Sequence, residues 1–179
     1  MARCLIIGCG CRGLSLSREL IARGHAVRAS TRDPDRLAEI EKLGAEAVLG
    51  DPDRVATLAR AFEHVAVTYV LMGSATGAEK QLEALHSTRL EMLLSKMLDS
   101  TVRGIVYEAA GTVPEPILAG GARRVIDFCE DSRMPYALLR TASAECERWL
   151  AEAVDALEIV LGGGAGARLA SARLASREK

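Results

Sequence analysis

A run of apolar residues leads directly into spaced glycines near the start of this chain. Cys4-Leu5-Ile6-Ile7 is followed by Gly8, Gly10 and Gly13, a Gly-x-Gly-x-x-Gly pattern. The run predicts a strand, Gly8 permits a tight turn after it, and Gly13 lets a helix pack closely against it. The chain therefore begins as strand, turn and helix, which is the opening unit of an α/β sheet.

Short apolar or β-branched runs alternate with longer segments of helical period along the rest of the chain. This pattern predicts a doubly wound parallel α/β sheet, the Rossmann fold, with about seven strands and helices on both faces. The predicted strands are Arg3–Ile7, Ala26–Ser30, Ala45–Leu49, Val65–Leu71, Gly104–Glu108, Tyr136–Arg140 and Leu157–Leu161. The predicted helices are Arg12–Arg23, Pro34–Leu43, Arg54–Phe62, Ala78–Ser100, Ile117–Ser132 and Ala144–Ala156.

The domain organisation follows from length and from one glycine-rich segment. The 179 residues suit one domain, which we assign to residues 1–161. Residues 162–179 read as a glycine-rich joint and a basic tail. The Ala78–Ser100 helix carries a broad apolar face, which predicts core packing or, alternatively, a homodimer surface.

Composition and charge exclude several classes of protein. The chain has 23 Lys and Arg against 24 Asp and Glu, so it lacks the basic excess of a nucleic-acid binder. We find no apolar stretch long enough for a membrane span and no secretory signal, so we expect a cytoplasmic protein. The five cysteines are odd in number and show no Cys-x-x-Cys spacing, so neither disulfides nor a metal site is predicted.

The glycine loop predicts a dinucleotide site. Its residues are Gly8, Cys9, Gly10, Cys11, Arg12 and Gly13. Gly10 lets the backbone approach a pyrophosphate, and the following helix presents unpaired N–H groups to it. The alternative is a tight strand-to-helix turn that binds no ligand.

The end of the second strand favours NADP over NAD. NAD binders carry an acidic residue there, whereas this chain has Ser30, Thr31 and Arg32. A small hydroxyl leaves room for a 2′-phosphate and an arginine pairs with its oxygens. We expect Arg12 to reach the same phosphate from the other side, and we predict that Arg28 lies at the surface.

Residues 2–141 resemble the atypical, NmrA-like branch of the short-chain dehydrogenase/reductases. The resemblance rests on the glycine loop, Thr31-Arg32, Gly44–Asp51, Val102–Ala110 and Pro135–Arg140. It implies that Asp51 accepts a hydrogen bond from the adenine amino group. It also implies that Leu71, Met72, Gly73 and Ser74 run past the ribose and nicotinamide. A second role for Asp51, compatible with the first, is to cap the helix that starts at Pro52.

The chain departs from catalytic members of that family. Its tyrosines are Tyr69, Tyr107 and Tyr136, and none is followed four residues later by lysine, so the Tyr-x-x-x-Lys pair is missing. The catalytic residues and the small-molecule substrate are therefore unknown. We expect an NADP-dependent oxidoreductase or epimerase, the alternative being a non-catalytic, NADP-binding redox sensor or regulator.

Hydroxyl, thiol and imidazole side chains give weaker indications of function. Ser74 and Thr112 are hydroxyls near the expected nicotinamide, although both suit turns. Cys9 and Cys11 flank a helix N-terminus, which could lower a thiol pKa, whereas the simpler interpretation is a small apolar side chain. The three histidines show no ligand spacing and are interpreted as structural.

Overall fold

Parallel strands form a single sheet in the computed structural model, which describes residues 1–142 and 144–162. The six strands of this part of the chain are β1 Arg3–Ile7, β2 Ala26–Thr31, β3 Glu46–Leu49, β4 Val67–Val70, β5 Gly104–Glu108 and β6 Tyr136–Leu139. Their order in the sheet is β3-β2-β1-β4-β5-β6. The order reverses beside β1, which is the Rossmann topology and confirms the predicted fold class.

Helices cover both faces of this sheet. They are α1 Cys11–Ala22, α2 Leu37–Lys42, α3 Glu79–Leu85, α4 Thr88–Leu98, α5 Glu115–Ser132 and α6 Cys146–Leu161, together with 3₁₀ turns at Pro34–Arg36 and Pro52–Phe62. Successive residues of β1 point to opposite faces: Cys4 and Ile6 pack in the core beneath α1 and α6, whereas Leu5 and Ile7 pack with α4, α5 and the Pro52–Phe62 segment. Because β1 is buried on both faces, its sequence is a continuous apolar run.

The predicted seventh strand is wrong. Residues Leu157–Leu161 form the last turns of α6. Trp149, Ala153, Leu157 and Val160 are buried along this helix at spacings of four, four and three residues, which is a helical repeat. Four of the five residues in this segment are apolar and only Glu158 is polar, so its composition resembles that of a short strand.

The long predicted helix is divided. A break at His86 and Ser87 separates α3 from α4, and Ser87 has non-helical dihedral angles of φ −123° and ψ −97°. Most of the apolar face is buried in the core, as predicted, but Met92 and Leu98 are exposed. Of the predicted glycine-rich joint and basic tail at residues 162–179, all but Gly162 lies outside the described residues.

Candidate functional site

A cleft of about 660 Å³ opens at the carboxyl edge of the sheet. We call the part formed by Thr31, Arg32 and Asp51 the β2–β3 end, and the part formed by Met72, Ser74 and Thr112 the β4–β5 end. Of the residues predicted from the sequence to bind a cofactor, those that line the cleft are Gly8, Cys9, Gly10, Cys11, Arg12, Gly13, Thr31, Arg32, Asp51, Leu71 and Met72. Gly73 is buried beside it.

The glycine loop has the geometry that its sequence predicts. Gly8 has φ +82°, and a Cβ atom there would collide with the carbonyl oxygen of Leu71. A Cβ atom at Gly10 would meet no atom within 4 Å. Gly10 is also the N-cap of α1 and no side chain caps the helix, so the positive end of α1 adjoins open cleft. The loop residues thus fit an anionic pyrophosphate.

The β2–β3 end carries cationic side chains. Arg32 is exposed, lines the cleft and forms no ion pair with the described part of the chain. Arg36 also lines the cleft, where its Nε lies 3.3 Å from Glu39 Oε2. Arg36 was not predicted as a site residue, because it falls inside the predicted helix Pro34–Leu43. Its distance of four residues from Arg32 was the available signal.

Asp51 caps the segment that follows it. Its Oδ1 accepts a hydrogen bond from the backbone N–H of Asp53, with N and O 3.0 Å apart. The capping role predicted from Pro52 is therefore present. Because Asp51 is also partly exposed in the cleft, the adenine contact implied by the family resemblance stays a prediction.

Arg12 points away from Arg32, contrary to expectation. Its Nη2 lies 2.9 Å from Glu108 Oε1 and donates a hydrogen bond of 2.9 Å to Ser74 Oγ. The guanidinium carbon lies 5.1 Å from the centre of the Trp149 ring, within cation–π range. Glu108 ends β5 and Ser74 follows β4, both across β1 from β2. Arg12 therefore belongs to the β4–β5 end of the cleft and not to the β2–β3 end.

Glu108 is the partner that sequence reasoning missed. Its side chain is fully buried, and its Oε2 accepts a 2.7 Å hydrogen bond from the Gly73 N–H. Burial raises the pKa of Glu108, while Arg12, the Gly73 N–H and Trp149 oppose that shift. A charged residue at the end of an otherwise apolar strand, Gly-Ile-Val-Tyr-Glu, was the signal that could have found it.

Two tyrosines lie away from the cleft. The Tyr69 hydroxyl donates to the Ala153 carbonyl at 2.9 Å, and the Tyr107 hydroxyl lies 2.7 Å from His86 Nδ1. Both side chains are fully buried, and burial raises the pKa of each. Neither can exchange a proton with a ligand in the cleft. The hydroxyls that do line it include Ser74 and Thr112.

The hypothesis of a reactive thiolate is wrong for Cys9. Only 3% of Cys9 is exposed, and burial raises the pKa of its thiol to about 11. Its sulfur packs beside Gly13, as a small apolar side chain does. Cys11, two residues on, is exposed at the start of α1.

Neither a metal cluster nor a membrane helix is found in the described ranges. Their His, Cys, Asp and Glu residues do not gather in groups of three that could hold a metal ion. None of their helices combines the length and apolarity needed to cross a membrane.

Residues 9–146 match the protein family described as NAD(P)H-binding. The match covers most of the chain and includes most of the glycine loop, Arg32, Asp51 and Glu108. The chain therefore belongs to this NAD(P)H-binding family. This confirms the predicted NAD(P)-binding Rossmann fold. No curated protein sequence matches the chain.

Solved structures share the fold at low sequence identity. One is an NAD-bound short-chain dehydrogenase/reductase superfamily protein from Agrobacterium tumefaciens, with a TM-score of 0.64 at 18% identity, covering 77% of this chain and 48% of that one. Another is UDP-glucose 4-epimerase from Thermotoga maritima with UDP-glucose, with a TM-score of 0.66 at 14% identity and coverages of 77% and 54%. A third is UDP-glucuronic acid 4-epimerase from Bacillus cereus with NAD, with a TM-score of 0.63 at 15% identity and coverages of 78% and 56%. The chain thus spans about half the length of these proteins.

Proposed function

We propose that the protein binds NADP, with the pyrophosphate on the Gly8–Gly13 loop and the 2′-phosphate at Arg32. The observation that carries this proposal is the β2–β3 end of the cleft, where Arg32 is exposed and free of ion pairs with described residues. Thr31, the last residue of β2, is small and neutral, so the position where NAD binders carry an acidic residue has no carboxylate, although Asp33 and Asp51 also line this end of the cleft. Arg36 supplies a second cation on the same wall.

We further propose that the protein is an NADP-dependent oxidoreductase or epimerase of the atypical short-chain type. Bound NADP supplies hydride chemistry, and the chain supplies binding and orientation. Ser74 and Thr112 provide hydroxyls at the β4–β5 end that can hydrogen-bond a substrate oxygen. The epimerase activities named for the solved structures support this class of reaction.

The second candidate is a protein that binds NADP without turning it over and acts as a sensor. One observation favours it: the two titratable side chains Tyr107 and Glu108, which could donate a proton near the β4–β5 end, are buried and paired with other groups. Tyr107 is buried against His86, and Glu108 is buried against Arg12 and the Gly73 N–H. An enzyme would then have to take its proton from Ser74, Thr112 or water.

Replacing Arg32 tests the cofactor proposal. In Arg32→Ala, NADPH should bind about 10- to 100-fold more weakly, because charge-assisted hydrogen bonds to a phosphate are lost. NADH has no 2′-phosphate and should change by less than about threefold. Calorimetry on nucleotide-stripped protein measures both, with Arg18→Ala, an exposed arginine of α1, as the matched control. Equal losses for NADPH and NADH would refute the assignment of the 2′-phosphate.

Turnover separates the enzyme from the sensor. The protein is incubated with NADPH and a panel of aldehydes, ketones and quinones while nicotinamide absorbance is followed, and separately with NADP⁺ and nucleotide sugars, which are analysed for epimers. Conversion of any substrate supports the enzyme. Tight binding of NADPH with no conversion across the panel supports the sensor.

A further inference from the structure

We infer that the Arg12–Glu108 pair balances the charge beneath the β4–β5 end of the cleft and thereby sets the relative affinity for oxidised and reduced cofactor. The inference rests on the proposed binding of NADP. It concerns the charge that the protein presents to the nicotinamide half, whereas the proposed function depends on the adenosine half.

The position of the pair follows from the sheet order. The glycine loop follows β1, Arg32 follows β2, and the next strands on the other side of β1 are β4 and β5. A dinucleotide with its pyrophosphate on the loop and its adenosine toward β2 must extend its other half toward β4 and β5. That is the side on which Arg12 meets Ser74 and Glu108.

The cation and the anion of the pair differ in exposure. The Arg12 side chain keeps 20% of its surface exposed and lines the cleft, whereas the Glu108 side chain keeps none. Glu108 is also covered by backbone, because Gly73 and Gly111 pack directly against one another next to it. A ligand can therefore touch Arg12 but not Glu108, which makes Glu108 a positioning and charge-balancing residue rather than a catalytic one.

Fixed contacts hold Arg12 in this place. Ser74 accepts from its Nη2, Glu108 pairs with the same nitrogen, and the Trp149 ring lies beneath the guanidinium. Burying such a pair costs desolvation, and apolar residues of similar size are often at least as stable. The stability of the fold therefore does not by itself explain why a charged pair is buried here. A neighbouring ligand whose own charge changes would explain it.

The two forms of the cofactor differ in charge at one end. The oxidised nicotinamide ring carries one positive charge and the reduced ring carries none, while the remainder of the molecule is the same. With Glu108 ionised, the pair carries no net charge and discriminates little between the two rings. Without that carboxylate, Arg12 repels the oxidised ring, and a unit charge several ångströms away inside a protein changes affinity about tenfold.

The principal test removes the negative charge and keeps the shape. Glu108→Gln retains an oxygen that can accept from the Gly73 N–H, and calorimetry compares the affinities for NADP⁺ and NADPH. The ratio should shift about tenfold against NADP⁺ relative to wild type. The double variant Arg12→Gln/Glu108→Gln is neutral again and should return the ratio to within about twofold of wild type. An unchanged ratio in Glu108→Gln, or the same shift in the double variant, overturns the inference.

A second pair of variants avoids the buried site. Thr112 is exposed in the loop after β5 and lines the cleft, so substitutions there leave the core intact. Thr112→Glu should shift the ratio about threefold toward NADP⁺ relative to Thr112→Gln, the smaller effect reflecting solvent screening. If the two variants have equal ratios, the β4–β5 end does not sense the ring charge and the inference fails even when Glu108→Gln does not fold.

The fragment 2′,5′-ADP separates this inference from the proposed function. It contains only the adenosine half, so Glu108→Gln should bind it within about twofold of wild type. A parallel loss of 2′,5′-ADP affinity would show a general collapse of the site and overturn the charge explanation. Wild-type protein that binds neither NADP⁺ nor NADPH overturns both proposals. If both forms bind but Glu108→Gln does not change the ratio of their affinities, only this inference is overturned.

Discussion

Two glycines of the Gly8–Gly13 loop, Gly8 and Gly10, have different structural roles. Gly8 is required by the fold, because its backbone is left-handed and the Leu71 carbonyl oxygen occupies the place of a Cβ atom. Gly10 is not required by the fold, since its φ of −86° suits any residue and its surroundings are open. The open space beside Gly10 is therefore available to a ligand bound in the cleft.

Alanine at each glycine should separate folding from binding. Gly10→Ala should change the free energy of unfolding by less than about 1 kcal/mol. It should weaken NADPH by more than about tenfold, because the methyl group enters the space for the pyrophosphate. Gly8→Ala should lose more than about 1 kcal/mol of stability through strain and collision. Denaturant titration and calorimetry measure the two effects, and a Gly10→Ala protein that binds NADPH normally would contradict the assignment of the loop.

Arg28 connects secondary-structure elements, although its place beside Val27 predicted a surface position. It is 7% exposed, and its Nη2 lies 2.9 Å from Glu46 Oε2 of β3. Its Nη1 donates to the carbonyl oxygens of Ala61 and Glu63 at 2.8 and 2.9 Å, which satisfies the end of the Pro52–Phe62 segment. One side chain thus ties β2, β3 and that segment together.

Removing Arg28 should destabilise the protein strongly. Arg28→Met keeps most of the apolar stem but leaves buried carbonyl groups without donors, so the free energy of unfolding should fall by about 2–4 kcal/mol. Arg3→Met is the matched control, because Arg3 lies 3.7 Å from the same glutamate but its side chain is 42% exposed. We expect the control to lose less than about 1 kcal/mol in denaturant titration. Similar losses in both variants would show that the buried contacts of Arg28 add nothing.

Elements with a strong local signal were predictable from sequence. The bounds of β1 and β5 were predicted without error, because apolar runs there end at glycine or at charge. The end of α6 was misassigned, since a helix and a strand look alike over five residues of which four are apolar. The break between α3 and α4 lies at His86, whose partners Met72 and Tyr107 are distant in sequence, so no local pattern marks it.

His86 joins distant parts of the molecule at that break. Its Nε2 lies 3.2 Å from the Met72 carbonyl oxygen, and its Nδ1 lies 2.7 Å from the Tyr107 hydroxyl. Because a carbonyl only accepts, Nε2 carries the proton, and the neutral ring accepts from Tyr107 at Nδ1. The ring therefore links the α3–α4 junction to β5 and to the loop after β4 that lines the cleft.

This buried ring should make stability depend on pH. Burial lowers the pKa of His86 below 6.5, so the unfolded chain binds a proton there more readily than the folded chain. The free energy of unfolding should therefore fall as the pH drops below 6.5 and through the folded pKa, by at most about 1.4 kcal/mol per pH unit for this one group. His86→Gln should lose this component, whereas His64→Asn, at an exposed position, should retain it. A His86→Gln curve parallel to that of wild type would exclude the link.

The candidate site was predictable from sequence only where short-range motifs define it. The glycine loop, Thr31, Arg32 and Asp51 each lie at or just after the end of a strand, and parallel strands bring their carboxyl ends to one edge. The pairing of Arg12 with Glu108 joins residues 96 positions apart through tertiary packing, which spacing alone does not encode. The direction of the Arg12 side chain was therefore beyond sequence reasoning, although its place in the loop was not.

Trp149 is the chain's one tryptophan, and it lies against the guanidinium of Arg12. Its fluorescence therefore reports from a single location beside the glycine loop. Indole emission overlaps the absorption of reduced nicotinamide, so a reduced dinucleotide settling nearby would quench it by energy transfer, whereas the oxidised form would not. The molecule thus carries its own optical reporter, and ligand arrival can be timed without attaching a dye.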